Sequence, residues 1–117
     1  MSTTRESFQF TFEIFVGSEK TFLVTITDPD TNEAIDLSNT NTYNSGNFRI
    51  IKPDETVITT ITIAFADRLN GVVSFTVPDT VTITSNAGNW IGNVQLLDSS
   101  STIIEQQVFG FNILVVK

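Results

Sequence analysis

The chain contains no cysteine and no histidine. Without cysteine there can be no disulfide, no thiolate metal centre and no thiol nucleophile. Without histidine the usual general base and the commonest transition-metal ligand are missing. Neither a Ser-His-Asp triad nor a histidine-ligated zinc can be assembled from this chain, and catalysis is not expected. Basic residues are scarce as well: Arg5, Lys20, Arg49, Lys52, Arg68 and Lys117 stand against 13 acids, for a net charge of -7. They are scattered, whereas phosphate recognition needs clustered Lys and Arg, so no nucleic-acid partner is expected. The opening "MSTTRESFQF" has one basic residue and no apolar stretch, so no signal peptide is expected. No apolar run reaches the length of a membrane span, which points to cytoplasmic synthesis and no membrane partner.

What the chain does have is strand-forming residues. Thr, Val, Ile and Phe fill the periodic segments, and no window carries a helical stripe. In "FQFTFEIFV" Phe8, Phe10, Phe12, Ile14 and Val16 share one face. Gln9, Thr11, Glu13 and the out-of-phase Phe15 share the other. Gly17-Ser18-Glu19 then turns the chain into "TFLVTIT", with Phe22, Val24 and Ile26 inward. "DPDTNEA" is a turn, and the polar run Ser38–Asn47 reads as a loop.

"FRIIKPDETVITT", Phe48 to Thr60, is a strand, a tight Lys-Pro-Asp turn and a second strand. The phase slips between Ile58 and the odd-numbered Ile61, Ile63 and Phe65, which predicts a bulge or bend at Thr59-Thr60 within one strand. Asn70-Gly71 is a turn signal ahead of "VVSFTV", where Val73, Phe75 and Val77 face inward and Pro78 closes the strand. Residues 79–89 cross over, with one irregular strand or short helical turn. Then "WIGNVQLLD" places Trp90, Val94 and Leu96 on one face, and the last segment places Phe109, Phe111, Ile113 and Val115 inward.

This pattern predicts an all-β fold, an immunoglobulin-like antiparallel β-sandwich of about seven or eight strands. The 117 residues are read as one domain, 1–117, with 1–7 as a flexible N-terminal arm. Ten phenylalanines can supply its core, because burying each yields roughly 1.5–3 kcal/mol.

The order of the small motifs resembles the N-terminal, immunoglobulin-like domain of phage baseplate upper proteins, within a broad family of phage virion domains. "GSEKTFLVTITD" is similar to that family's opening strand pair, "AIDLSN" to its short Val/Ile-Asp-Leu segment, and "FRIIKPDETV" to its Lys-Pro-Asp hairpin. "NGVVSFTVP", "GNWIGNVQLLD" and "FGFNIL" resemble its later strands. Two departures concern turns: Glu55 stands where the family commonly has glycine, and Ser99-Ser100-Ser101 replaces an Asp-Gly turn. The resemblance implies a non-enzymatic structural or accessory protein of a tailed-phage virion, made in the host cytoplasm. It would dock on other virion structural proteins in several symmetric copies, on the capsid surface as decoration or cement, or on the tail or baseplate. No cofactor is implied.

Several residues invite a sharper reading. Asp28-Pro29-Asp30-Thr31-Asn32 begins like a calcium loop, but Glu33 and Asn39 occupy the places of the required Gly and Glu, leaving an Asx turn and no metal site. Trp90 occupies the corner position before the penultimate strand, with Gly92 where antibody domains place a cysteine. With Tyr43 it is the candidate contact for a host glycan, the alternative function being a carbohydrate-binding adhesin-type module. Asp54 and Glu55, and the strand-end Asp67, Asp79 and Asp98, are turn residues rather than an acid/base pair. Phe15, Leu23, Ile91, Leu114 and Val116 point away from the predicted core and are the candidate partner or subunit interface.

Overall fold

A computed structural model describes residues 10–115; Val116 and the expected arm at 1–7 lie outside the described residues. Eight strands are present among the described residues: β1 Thr11–Phe15, β2 Lys20–Thr25, β3 Ser45–Ile51, β4 Val57–Thr62, β5 Ala64–Asp67, β6 Val72–Val77, β7 Gly88–Leu97 and β8 Ile103–Leu114. They form a five-stranded sheet, β1-β8-β7-β3-β4, and a three-stranded sheet, β2-β6-β5. The second order is the B-E-D sheet of an immunoglobulin domain, and β8-β7-β3-β4 follows G-F-C-C′. Strand β1 departs from the constant-type arrangement. It leaves the B-E-D sheet and runs parallel to β8, with Thr11 opposite Gly110 and Phe15 opposite Leu114.

Alternation builds the core. Phe22 and Val24 on β2, Phe48 and Ile50 on β3, Val73, Phe75 and Val77 on β6, Val94 and Leu96 on β7, and Phe109, Phe111 and Ile113 on β8 are all buried. Phenylalanine rings bridge the two sheets. Phe48 stacks on Phe75 with centroids 3.8 Å apart, and Phe22 meets Phe111 edge-on at 5.4 Å. Gly92 makes room for this. A Cβ there would lie 2.5 Å from the Phe109 ring and 3.1 Å from that of Phe48. Rings fill the space that a disulfide occupies in antibody domains.

Turn chemistry fixes the register. In the β3–β4 hairpin the Lys52 N–H donates to Thr56 O and the Glu55 N–H to Lys52 O, while Asp54 Oδ1 accepts from the Thr56 N–H at 3.0 Å. Glu55 takes φ 73° and Ser101 φ 64°. Both departures from the glycine-bearing turns of the resembled family therefore fall at or beside left-handed backbone positions, which glycine adopts most readily. Of the two alternatives for the crossover, an irregular strand or a short helical turn, the second is present as a single 3-10 turn, Thr84–Asn86.

Three details differ from expectation. The bulge lies at Ile58 rather than Thr59-Thr60: Ile50 pairs with Thr59 and Ile51 with Val57, leaving Ile58 as the extra residue. The stretch from Ile61 to Phe65 is not one strand. Its chain crosses from one sheet to the other at buried Ile63, whose N–H donates to Gly46 O at 3.2 Å. Val115 is 47% exposed rather than inward, because β8 ends at Leu114.

Candidate functional site

The four proposed interface residues that are described do not form one patch. Phe15 (49% exposed) and Leu23 (61%) flank a shallow groove where β1 has left the edge of β2 open, with Phe12 and Phe22 at its floor. Leu114 lies opposite Phe15 and is half-buried. Ile91 sits elsewhere, opposite Ile51 on β3 and Gly110 on β8. There it lines a depression with Arg49, Lys52, Glu55 and Val57.

Trp90 and Tyr43 are also separated. Trp90 folds over Gly88, where a Cβ would stand 2.2 Å from the indole ring. Its N–H donates to Asn86 O at 2.8 Å, and Lys52 Nζ lies 5.4 Å from the ring centroid. Tyr43 precedes β3 at the opposite end of the sandwich, where the neighbouring Asn44 N–H bonds to Leu97 O. Leu97 stands seven positions along β7 from Trp90, a span of roughly 23 Å at strand rise. A single sugar ring does not bridge the two. Burial raises the Tyr43 hydroxyl pKa, and the Glu105 and Asp36 carboxylates raise it further.

The charged loops are held by local bonds. Asp28 Oδ1 accepts from the Asp30 N–H at 2.8 Å, and the Asn32 N–H donates to Asp28 O at 2.7 Å, with Asn32 at φ 61°. This is an Asx turn. Hydrogen bonds to Ser38 and Thr56 lower the pKa of Asp36 and Asp54 respectively. Arg68 pins the 38–44 loop: one guanidinium nitrogen donates to Leu37 O at 3.0 Å and Tyr43 O at 2.8 Å, with the group 3.8 Å over the Phe65 ring.

The feature that periodicity passed over is the outer face of the five-stranded sheet. Strand register lays out three rows across it. The first is Thr62, Asn47, Gln95 and Gln106; the second is Thr60, Arg49, Asn93 and Val108; the third is Val57, Ile51, Ile91, Gly110 and Thr11. Asn93 and Gln95 are 4% and 8% exposed although they face away from the core. They are linked as amides. Asn93 and Gln95 both donate to Gln106 Oε1, at 3.2 and 3.3 Å, and Arg49 donates to Asn93 Oδ1 at 3.4 Å. Asn47 Oδ1 and Arg49 Nε are buried without a partner, and among the described residues no other buried side-chain polar atom shares that condition. The signal in the sequence was the odd-numbered set Asn47-Arg49 and Asn93-Gln95, polar and central in strands flanked by apolar neighbours.

Topology and register together define an immunoglobulin-like β-sandwich with an amide-rich outer sheet face. No family model matches the sequence, and no curated protein matches it. Among solved structures the chain is similar to the N-terminal domain of ORF48 of phage TP901-1. The TM-score is 0.66 at 11% identity, over 95% of this chain and 91% of that one. At that identity the likeness is one of fold.

Proposed function

We propose that the chain is a non-enzymatic structural or accessory module of a tailed-phage virion, docking through its sheet surfaces on neighbouring virion proteins in several symmetric copies. The observation that supports this reading is the likeness in fold, over nearly the whole of both chains, to a domain of a phage protein. The ordered motifs from Gly17 to Ile113 resemble the immunoglobulin-like domains of phage virions and support it from a separate direction. The described side chains add that the carboxylates at the Asp28, Asp54 and Asp67 turns are bonded to local groups, as scaffold turns require. Docking sites on the capsid exterior and on the tail or baseplate are both compatible with a module of this size.

The test is to purify particles of the encoding phage on a density gradient and probe them with an antibody raised against this chain. The chain is expected in the particle band at a fixed copy number, with immunogold label confined to the head or to the tail. Absence from the particle, together with binding to host surface glycans that is lost in a folded Trp90→Ala variant, would replace this reading with the adhesin-type one.

A further inference from the structure

The geometry points to the outer face of the five-stranded sheet, centred on Arg49, as the docking surface, and to a partner protein that presents a carboxylate to it. This deepens the docking role proposed above and rests on it. Three independent features of the face support the assignment.

The first is charge. In a chain of net charge -7, Arg49 is the single charged residue in the three rows. Lys52 and Glu55 stand at their hairpin edge, where they line the depression beside it, and Glu13 enters only in the next row, opposite Asn112. A solvated sheet face ordinarily carries Lys, Glu and Asp. Protein interfaces are depleted of these three at their centre and enriched in Arg.

The second is unused hydrogen-bonding capacity. A guanidinium has five N–H donors in a fork that matches a carboxylate. Among the described residues the Arg49 side chain makes one hydrogen bond, at 3.4 Å, to a neutral amide. Its Nε and the adjacent Asn47 Oδ1 are buried with no partner among the described residues, whereas the large majority of buried polar groups in folded proteins are paired with protein or water.

The third is shape and rim. Val57 and Val108, at opposite sides of the face, are 41% and 42% exposed, and half-buried Ile91 lines a depression beside Arg49. Apolar contacts around a central arginine are the arrangement that excludes water from an interfacial ion pair. A second copy of the same face does not fit this site. It would bring arginine against arginine at the centre, and its carboxylates, Glu55 and Glu13, stand at the edge of the face rather than opposite Arg49.

Variants introduced into the encoding phage, with copies per particle as the readout, test the assignment. Arg49→Glu is expected to reduce incorporation by about tenfold or more, the scale of breaking one partner of a buried charged pair, and Arg49→Gln by a smaller factor. Lys20→Glu makes the same charge reversal on exposed β2, away from the face, and is expected to leave incorporation unchanged. Acidic-to-basic suppressors in another virion protein that restore Arg49→Glu would identify the partner carboxylate. Should Arg49→Glu fail to melt cooperatively as purified protein, Arg49→Gln decides. Wild-type incorporation of both Arg49 variants, or an equal loss with Lys20→Glu, overturns the assignment and leaves the virion role standing. A wild-type chain absent from the particle removes the virion role, and this assignment with it.

Discussion

Strand β7 is buried on both faces, and the two faces are made of different chemistry. Inward, Val94 and Leu96 are fully enclosed by apolar side chains from both sheets. Outward, Asn93 and Gln95 are almost as inaccessible, yet amides and one guanidinium enclose them. The inner burial is driven by apolar transfer, which is non-directional and favourable per unit area. The outer burial gains little, since each amide exchanges water for a neighbour at a net value of roughly 1 kcal/mol. The inner face therefore accounts for the stability of the fold, and the outer face has to be explained by what it is for.

That contrast is measurable. Phe48→Ala is expected to cost the most, about 3–5 kcal/mol, because its ring is fully buried and stacks across the sheets on Phe75. Urea unfolding reads the loss. Gly92→Ala comes next, at about 1–3 kcal/mol, the scale for overpacking a filled core. Its methyl would meet the rigid Phe109 ring rather than a side chain free to move aside. Gln95→Ala on the outer face is expected to cost about 0.5–1.5 kcal/mol, because it removes one 3.3 Å bond and leaves Gln106 exposed to water. If Gln95→Ala were as damaging as Phe48→Ala, the division between a stabilising face and a functional face would collapse.

The division also marks how much the sequence disclosed. The period of two located the inner face because burial there selects one chemical class: Phe22, Val24, Phe75, Phe109 and Phe111 announce themselves. Turn signals at Lys52–Thr56 and Asn70-Gly71 were equally legible, since they depend on local backbone preferences. The crossing at Ile63 was not. A strand that changes sheets keeps its apolar period and differs only in which backbone it pairs with.

The outer face escaped for a related reason. Asn93 and Gln95 are covered by side chains from other strands, Arg49 on β3 and Gln106 on β8, and an isolated strand with polar residues on one face looks solvated. The out-of-phase apolar residues were identifiable one at a time. Their grouping was not, because Phe15 and Leu23 approach each other through the displaced β1 while Ile91 lies near Arg49.

A smaller effect concerns the hairpin at the edge of that outer face. Glu55 holds φ 73°, which costs a side-chain-bearing residue on the order of 1 kcal/mol or slightly more, while glycine loses more freedom on folding. Glu55→Gly is expected to raise stability by a few tenths to about 1 kcal/mol, read as a rise in the urea midpoint at unchanged slope. A fall would mean that the Glu55 side chain makes a compensating contact at the rim of the Arg49 depression.

The last prediction separates the two faces by pH. Glu105 lies on β8 near the acidic loops, and burial raises its carboxyl pKa first, with the nearby Asp28 charge adding to it. The folded chain thus holds this proton more tightly than the unfolded chain. Its contribution to stability is fully present below the unfolded glutamate pKa and is lost as pH rises through the folded value. Asp36 and Asp54 shift the opposite way, so their contribution is present above the unfolded aspartate pKa and fades as pH falls through their folded values. The whole-protein pH profile mixes these opposed slopes. The difference between wild type and Glu105→Gln isolates the first: the variant is expected to be the more stable at neutral pH, with the gap closing on acidification. Because no acid stands in the three rows around Arg49, an outer-face variant such as Gln95→Ala should shift stability by an equal amount at every pH. A pH-dependent gap for Gln95→Ala would mean that a carboxylate of this chain, such as Glu55 at the edge of the depression, already acts on the centre of that face.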